Sequence, residues 1–201
     1  MTSPRRKPGG PVWDPVQMCE DLRRAGVRLI CADFDLTFIG IHTGGVWQKT
    51  PEALSKTVRP CLRDLLGAAL ESGLHVAVVT FSPQGKLISE VLASAFPTAS
   101  KRIIVRALDR SWRYDGDGNA DGKLPHVASV VEDISLARGE TLAKKNVMLI
   151  DDDAKNIEKA LNTGINAVLC RPAQPDSVYR GIHALLSHHS SANDENAPPS
   201  E

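Results

Sequence analysis

Five short apolar runs, each divided from the next by a segment of helical spacing, constrain this chain more than any other feature. The runs 27–34 (VRLICADF), 74–80 (LHVAVVT), 102–106 (RIIVR), 146–150 (NVMLI) and 166–170 (NAVLC) are strand-length and largely unalternated. A strand of that kind is covered on both faces, as in a parallel sheet. Between the runs lie helical patterns. In 14–25, Val16, Cys19, Leu22 and Ala25 recur three apart, Asp14 stands at the N-cap, Pro15 takes the first helical position and Gly26 follows the end. Residues 60–72 open on Pro60 and stop before Gly73, and the segments 83–95, 125–137, 154–163 and 176–187 complete the series. Helices alternating with strands make right-handed crossovers, so the expected fold is α/β: a doubly wound parallel sheet flanked by helices.

At roughly 150 residues per domain, a chain of 201 residues holds one domain with some length to spare. The spare length falls at the ends. Residues 1–11 (MTSPRRKPGGP) and 188–201 (HHSSANDENAPPSE) offer no apolar surface to offset the entropy of ordering them, so they read as a flexible basic arm and a disordered polar tail around a domain of 12–187. No apolar run approaches the ~20 residues of a membrane span, and no apolar segment follows the charged N-terminus, so a cytoplasmic protein without membrane contact is expected. Lys+Arg and Asp+Glu are 24 each. That balance argues against general nucleic-acid binding, which needs a summed positive field, and four Phe, three Trp and two Tyr leave little for a base-stacking platform. Cys19, Cys31, Cys61 and Cys170 have neither CxxC spacing nor histidine partners and read as reduced thiols of the core.

In a doubly wound sheet, ligands bind beyond the carboxyl ends of the strands. The first strand runs into Asp33-Phe34-Asp35-Leu36-Thr37, the second into Thr80-Phe81-Ser82 and the fourth into Asp151-Asp152-Asp153, while Lys123 opens a helix between them. Singly, each has an ordinary reading: an Asp or Thr after a strand caps the next helix, and a Lys is a solvated charge. Together, five carboxylates at one rim repel unless a cation or protons intervene. Oxygen donors without neighbouring His or Cys favour Mg²⁺ over zinc.

These motifs, in this order, resemble those of haloacid dehalogenase (HAD) superfamily phosphatases over about 27–170. The DxDx[TV] motif corresponds to Asp33-Phe34-Asp35-Leu36-Thr37, the Thr/Ser motif to Thr80, the Lys motif to Lys123 in DGKLPHV and the acidic motif to Asp151-Asp152 in MLIDDDAKN. The resemblance implies that Asp33 attacks phosphorus to form an aspartyl-phosphate and that Asp35 is general acid, then general base. It implies Mg²⁺ held by Asp33, the Asp35 backbone carbonyl and Asp152. Thr80 and the Phe81 N–H would hold phosphoryl oxygens, Lys123 would neutralise charge and Asp151 would orient Lys123. The three consecutive aspartates leave the register between Asp151 and Asp152 open. Asp153 is a candidate cap for the helix from Ala154, and Asn156 a candidate for reaching the metal through water.

An acid at position 35 favours phosphate chemistry over carbon–halogen cleavage. Neither 38–59 nor 81–122, where such enzymes carry cap insertions, is long enough for a folded cap, so the expected site is open to a small or a macromolecular phosphorylated substrate, or to a second subunit of a homo-oligomer. The stretch 38–59 reads as a loop or small flap, in which His42-Thr43-Gly44-Gly45 either turns the chain or approaches the leaving group, and Trp47 either packs the flap or stacks on a substrate. Arg102, Arg106, Arg110 and Arg113 have spacings that do not make one patch. Residues 115–122 (DGDGNADG) fail an EF-hand in both registers, lacking the bidentate Glu at position 12, and read as a mobile loop leading to Lys123. Two other readings carry different functions: a phospho-accepting receiver domain, whose acidic pair belongs to the first strand rather than the fourth, and an idle HAD-like scaffold that binds without turnover.

Overall fold

The computed structural model describes residues 13–174 and 176–194, with side chains as far as 188. Its elements run α1 (Pro15–Arg24), β1 (Leu29–Ala32), α2 (Pro51–Ser55), α3 (Pro60–Glu71), β2 (His75–Val79), α4 (Gly85–Ala95), β3 (Ile103–Arg106), α5 (Gly118–Asp121), α6 (Leu124–Arg138), β4 (Val147–Asp151), α7 (Ala154–Asn162), β5 (Asn166–Leu169) and α8 (Ser177–Asp194). The five strands are parallel in the order β3-β2-β1-β4-β5, which is the expected doubly wound arrangement.

Strand parity explains the uninterrupted apolar runs. Ile30, Ala32, Val76, Val78, Met148 and Ile150 face a layer of α1, α3, α4 and α8, including Leu22, Leu65, Leu66, Ile88 and Ile182. The alternate residues Leu29, Cys31, Ala77, Val79, Val147 and Leu149 face Val127, Val130 and Ile134 of α6 and Ala160 of α7. Both faces are buried, so alternation of polar residues is lost. Helix α8 approaches β5 closely at Gly181, where a Cβ would lie 2.5 Å from Val168 Cγ1. Caps follow the sequence: Asp14 accepts from the N–H groups of Val16 and Gln17, and Asp153 accepts from Lys155 N–H at the start of α7.

Three expectations change. Helix α8 continues to Asp194, seven residues past the expected domain end at 187, because polar residues can extend a helix whose first turns are already packed; 195–201 and the 1–11 arm lie outside the described residues. The stretch 38–59 holds the one-and-a-half-turn helix α2, capped by Thr50 and stitched to β1's exit by an isolated bridge between Ile39 and Val58. The 115–122 loop holds the short helix α5, whose N-terminal N–H groups are satisfied by Asp117, while Asp121 accepts from Asp117 N–H. Its carboxylates serve local capping. Neither insertion forms a cap domain. No helix among the described residues is long and apolar enough to cross a membrane.

Candidate active site

One cavity of about 400 Å³ at the carboxyl ends of the strands is lined by Asp33, Asp35, Thr80, Phe81, Lys123, Asp151 and Asp152, together with His42, Gly44 and Gly45. Asp33, Asp35, Thr80, Lys123, Asp151 and Asp152 of the four motifs therefore share one space, while Thr37 is buried behind it. Pairing of the strands places them: Ala32, the last residue of β1, lies beside Val78 and Ile150, so Asp33 and Asp151 follow level with Val79, and Thr80 comes one residue further on. A more apolar cavity of about 520 Å³ between α6 and the α6–β4 connection contains none of these groups.

At the cavity floor, Lys123 Nζ donates to Asp33 Oδ1 and, at 3.1 Å, to the Val79 carbonyl, with Asp151 Oδ2 3.8 Å away. The three residues are buried, at 6%, 3% and 1% exposure for Asp33, Lys123 and Asp151. Asp151 also accepts from Asp153 N–H at 2.9 Å and from the Asn156 amide at 3.0 Å. Asp152 accepts from the Thr37 hydroxyl at 3.2 Å, an interaction that joins the first motif to the last. Thr80 Oγ1 accepts from Ser82 N–H at 3.2 Å, which turns the second strand's exit into the cavity. The Phe81 ring lies under Lys123 Nζ, 4.6 Å from centroid to nitrogen.

Burial pushes the Asp33 carboxyl up to about 7 against the pull of Lys123, with Asp151 and Asp152 adding to the rise. Asp151 is raised by the same burial, while Lys123 and its two hydrogen-bond donors oppose it. Burial pulls Lys123 down, yet Asp33 and Asp151 outweigh it and its ammonium is held above the ordinary range. The floor thus keeps its cation charged and carries more carboxylate than that cation neutralises.

Oxygens of Asp33, Asp151 and Asp152 lie within 4.8 Å of one another. Three carboxylates and one ammonium leave a formal charge of −2, the charge one divalent cation offsets. The donors are all oxygen, which suits Mg²⁺. Of the expected metal-binding residues, Asp33 and Asp152 belong to this cluster and Asp151 joins them, so both aspartates of the fourth motif sit within reach of one ion. The Asp35 carboxylate turns away from it, toward Thr43.

Sequence reasoning missed three contributors. Thr43, in a segment expected to turn the chain or approach the leaving group, instead binds the Asp35 carboxylate. Gln84 holds the Trp47 backbone in both directions, accepting from its N–H at 2.7 Å and donating to its carbonyl at 3.0 Å. His126, buried on the first turn of α6, stands in a box of Phe81, Trp112 and Tyr114, with ring centroids 5.0, 5.0 and 5.2 Å away. No motif marks any of them. Of the arginines, Arg106 pairs with Asp133, Arg113 with Asp115, and Arg102 donates to the Leu70 carbonyl.

No protein-family model matches the chain, and no curated protein matches it by sequence. Solved structures do. One is the HAD domain of the effector protein Lem4 from Legionella pneumophila, in an inactive mutant form, which is 16% identical with a TM-score of 0.52 over 86% of this chain and 99% of that one. Another is the N-terminal part of the protein BF1531 from Bacteroides fragilis, containing a phosphatase domain complexed with Mg, which is 11% identical with a TM-score of 0.54 over 85% of this chain. This chain spans 43% of the length of the second. At these identities the likeness concerns architecture, and it agrees with the strand order: the chain has the haloacid dehalogenase-like α/β fold, with no cap domain among the described residues.

Proposed function

We propose that this protein is a Mg²⁺-dependent phosphomonoesterase that works through an aspartyl-phosphate on Asp33. The observation that carries the reading is the cavity floor, where the buried Asp33 and Asp151 and the half-buried Asp152 stand beside one ammonium, Lys123, and leave two formal negative charges over. A purely structural ion pair needs no third and fourth partner at such cost in desolvation. The solved phosphatase domain from Bacteroides fragilis, complexed with Mg, shares the fold and supports the assignment of the ion.

Asp33, Asp151 and Asp152 would hold Mg²⁺, with the Asp35 carbonyl as a further donor. When bound, the ion offsets the negative charge of the carboxylates and of a phosphoryl group, which otherwise repel. In the first displacement an Asp33 oxygen attacks phosphorus, the bond to the leaving oxygen breaks with its electron pair, and Asp35 supplies the proton to that oxygen. In the second, Asp35 takes a proton from water, the water oxygen attacks phosphorus, and the Asp33 carboxylate departs. Thr80 and the Phe81 N–H orient phosphoryl oxygens, and Lys123 neutralises charge on both Asp33 and the transferring group. Lys123 arrives preorganised, because the Val79 carbonyl and the Phe81 ring hold it in place.

The test is release of p-nitrophenol from p-nitrophenyl phosphate with Mg²⁺, with EDTA, and by the Asp33→Asn variant. The reading expects activity with the metal, loss with the chelator and loss with the variant. Activity of Asp33→Asn at the wild-type level contradicts it, and a folded, Mg²⁺-loaded protein inert on a broad phosphoester panel favours the binding scaffold instead.

A further inference from the structure

Asp35 leaves β1 with extended backbone, and Leu36 after it takes φ 57°, a left-handed conformation costing a leucine roughly 1–2 kcal/mol. That reversal, closed by Leu36 N–H donating to the Ile41 carbonyl at 3.1 Å, brings the chain back so that Thr43 meets the Asp35 carboxylate. Thr43 N–H donates to Oδ2 at 3.1 Å, and its hydroxyl lies 3.0 Å from Oδ1 and 2.9 Å from Oδ2. His42 Nδ1 is 3.0 Å from Oδ2 too, and it lies 2.9 Å from the Gly44 N–H nitrogen, but its side chain is exposed whereas the Thr43 contacts are part-buried.

The segment bearing Thr43 is itself fixed. Gly44 and Gly45 turn it at φ 65° and 73°, and a Cβ on Gly45 would fall 2.9 Å from Pro83 Cδ. Gln84 then clasps Trp47 from both sides. Pro83 and Gln84 belong to the β2–α4 loop, which also carries Thr80. Thr43 is therefore tied at once to Asp35 and to the loop that would hold the phosphoryl group.

The geometry points to Thr43 as the positioning residue of Asp35: its hydroxyl and N–H set the direction of the carboxyl that exchanges protons with the leaving oxygen and with water. This rests on the reading of Asp35 as general acid and base. A hydroxyl suits the task because it donates to a carboxylate and accepts from a carboxylic acid, so the hold persists through both displacements. Misplacement of a reacting group by about 1 Å costs up to 10²-fold in rate. The N–H contact survives side-chain replacement, so removing the hydroxyl alone gives a partial loss.

The test compares Thr43→Val, Thr43→Ser and Asp35→Asn on glycerol phosphate, whose alkoxide needs a proton to leave, and on p-nitrophenyl phosphate, whose anion does not. Because hydrolysis of the phosphoenzyme is common to both substrates, the comparison is of kcat/KM, which reads the first displacement: Thr43→Val is expected to lower it about tenfold on glycerol phosphate and to leave it within about twofold on p-nitrophenyl phosphate. Thr43→Ser should recover most of the loss. A crystal structure of Thr43→Val should show the Asp35 carboxylate in a new orientation. Equal losses on both substrates, no loss on either, or an unmoved Asp35 overturn the inference. If Asp35→Asn discriminates between the substrates and Thr43→Val does not, the inference alone fails; if Asp35→Asn does not discriminate, the acid/base reading of Asp35 falls, and the inference with it.

Discussion

The surplus of carboxylate at the site floor makes the metal-free protein's stability depend on pH in a definite direction. The perturbation is removal of one group, Asp33→Asn, compared with wild type across pH. Asp33 has the ordinary carboxyl value of 3.8 when unfolded and is pushed up to about 7 in the metal-free fold, where burial dominates over the pull of Lys123. Between those values the folded state holds a proton that the unfolded state releases, so stability falls as pH rises. A shift of about three units, at 1.36 kcal/mol each, gives at most about 4 kcal/mol, lost progressively between about pH 4 and pH 7. Lys123, raised from 10.5, contributes nothing to the slope in that window. The assay is urea unfolding in EDTA at intervals from pH 4.5 to 8, read as wild type minus Asp33→Asn so that unrelated groups cancel. The difference should move against the wild type by one to four kcal/mol. Because a divalent ion binds the ionised carboxylates, Mg²⁺ should stabilise the wild type more at pH 8 than at pH 5. A flat difference curve, together with equal Mg²⁺ effects at both pH values, refutes the reasoning.

Lys123→Met leaves Asp33 buried without its cation. It should reduce kcat about 10²–10³-fold and cost the metal-free protein about 3–5 kcal/mol at pH 8, with part of the stability regained at pH 5, as measured by steady-state kinetics and urea unfolding. His126 behaves oppositely to Asp33: burial and then the Lys123 charge lower its imidazole to about 4, so the folded state resists protonation that the unfolded chain accepts near 6.5. His126→Phe keeps the aromatic packing, and its stability relative to wild type should therefore climb by up to about 3 kcal/mol as pH falls from 7 to 4, measured by thermal or urea unfolding; no change with pH contradicts the neutral, buried histidine.

The strands and the long helices were legible because burial on both faces leaves uninterrupted apolar runs, and because Asp14, Pro15 and Pro60 mark helix starts chemically. The floor residues were legible for a related reason: the register of the parallel strands carries the residues at and just past their carboxyl ends to the same rim, so Asp33, Thr80 and Asp151 had to converge. The Thr50-Pro51-Glu52 start of α2 carried a cap signal too, but five residues are too few for a periodic face. The polar end of α8 offers no burial pattern, since its continuation depends on turns already formed. Thr43 was hidden for another reason. Its contact with Asp35 is made by a non-glycine residue, Leu36, in the left-handed region, and no local propensity predicts that bend. The aromatic box around His126 likewise depends on how the 107–122 loop folds back, bringing Trp112 and Tyr114 onto the start of α6.

The central claim is covalent: Asp33 carries the phosphoryl group between two displacements. Intact-mass and peptide mapping of protein quenched in acid during turnover with Mg²⁺ tests it most directly, using Asp35→Asn, which should retard the second displacement, beside Asp33→Asn. The account predicts one added phosphoryl group, labile to hydroxylamine, on the peptide containing Asp33, and none in Asp33→Asn. Phosphate released by Asp35→Asn at a measurable rate with the adduct absent, or found on another residue, contradicts it.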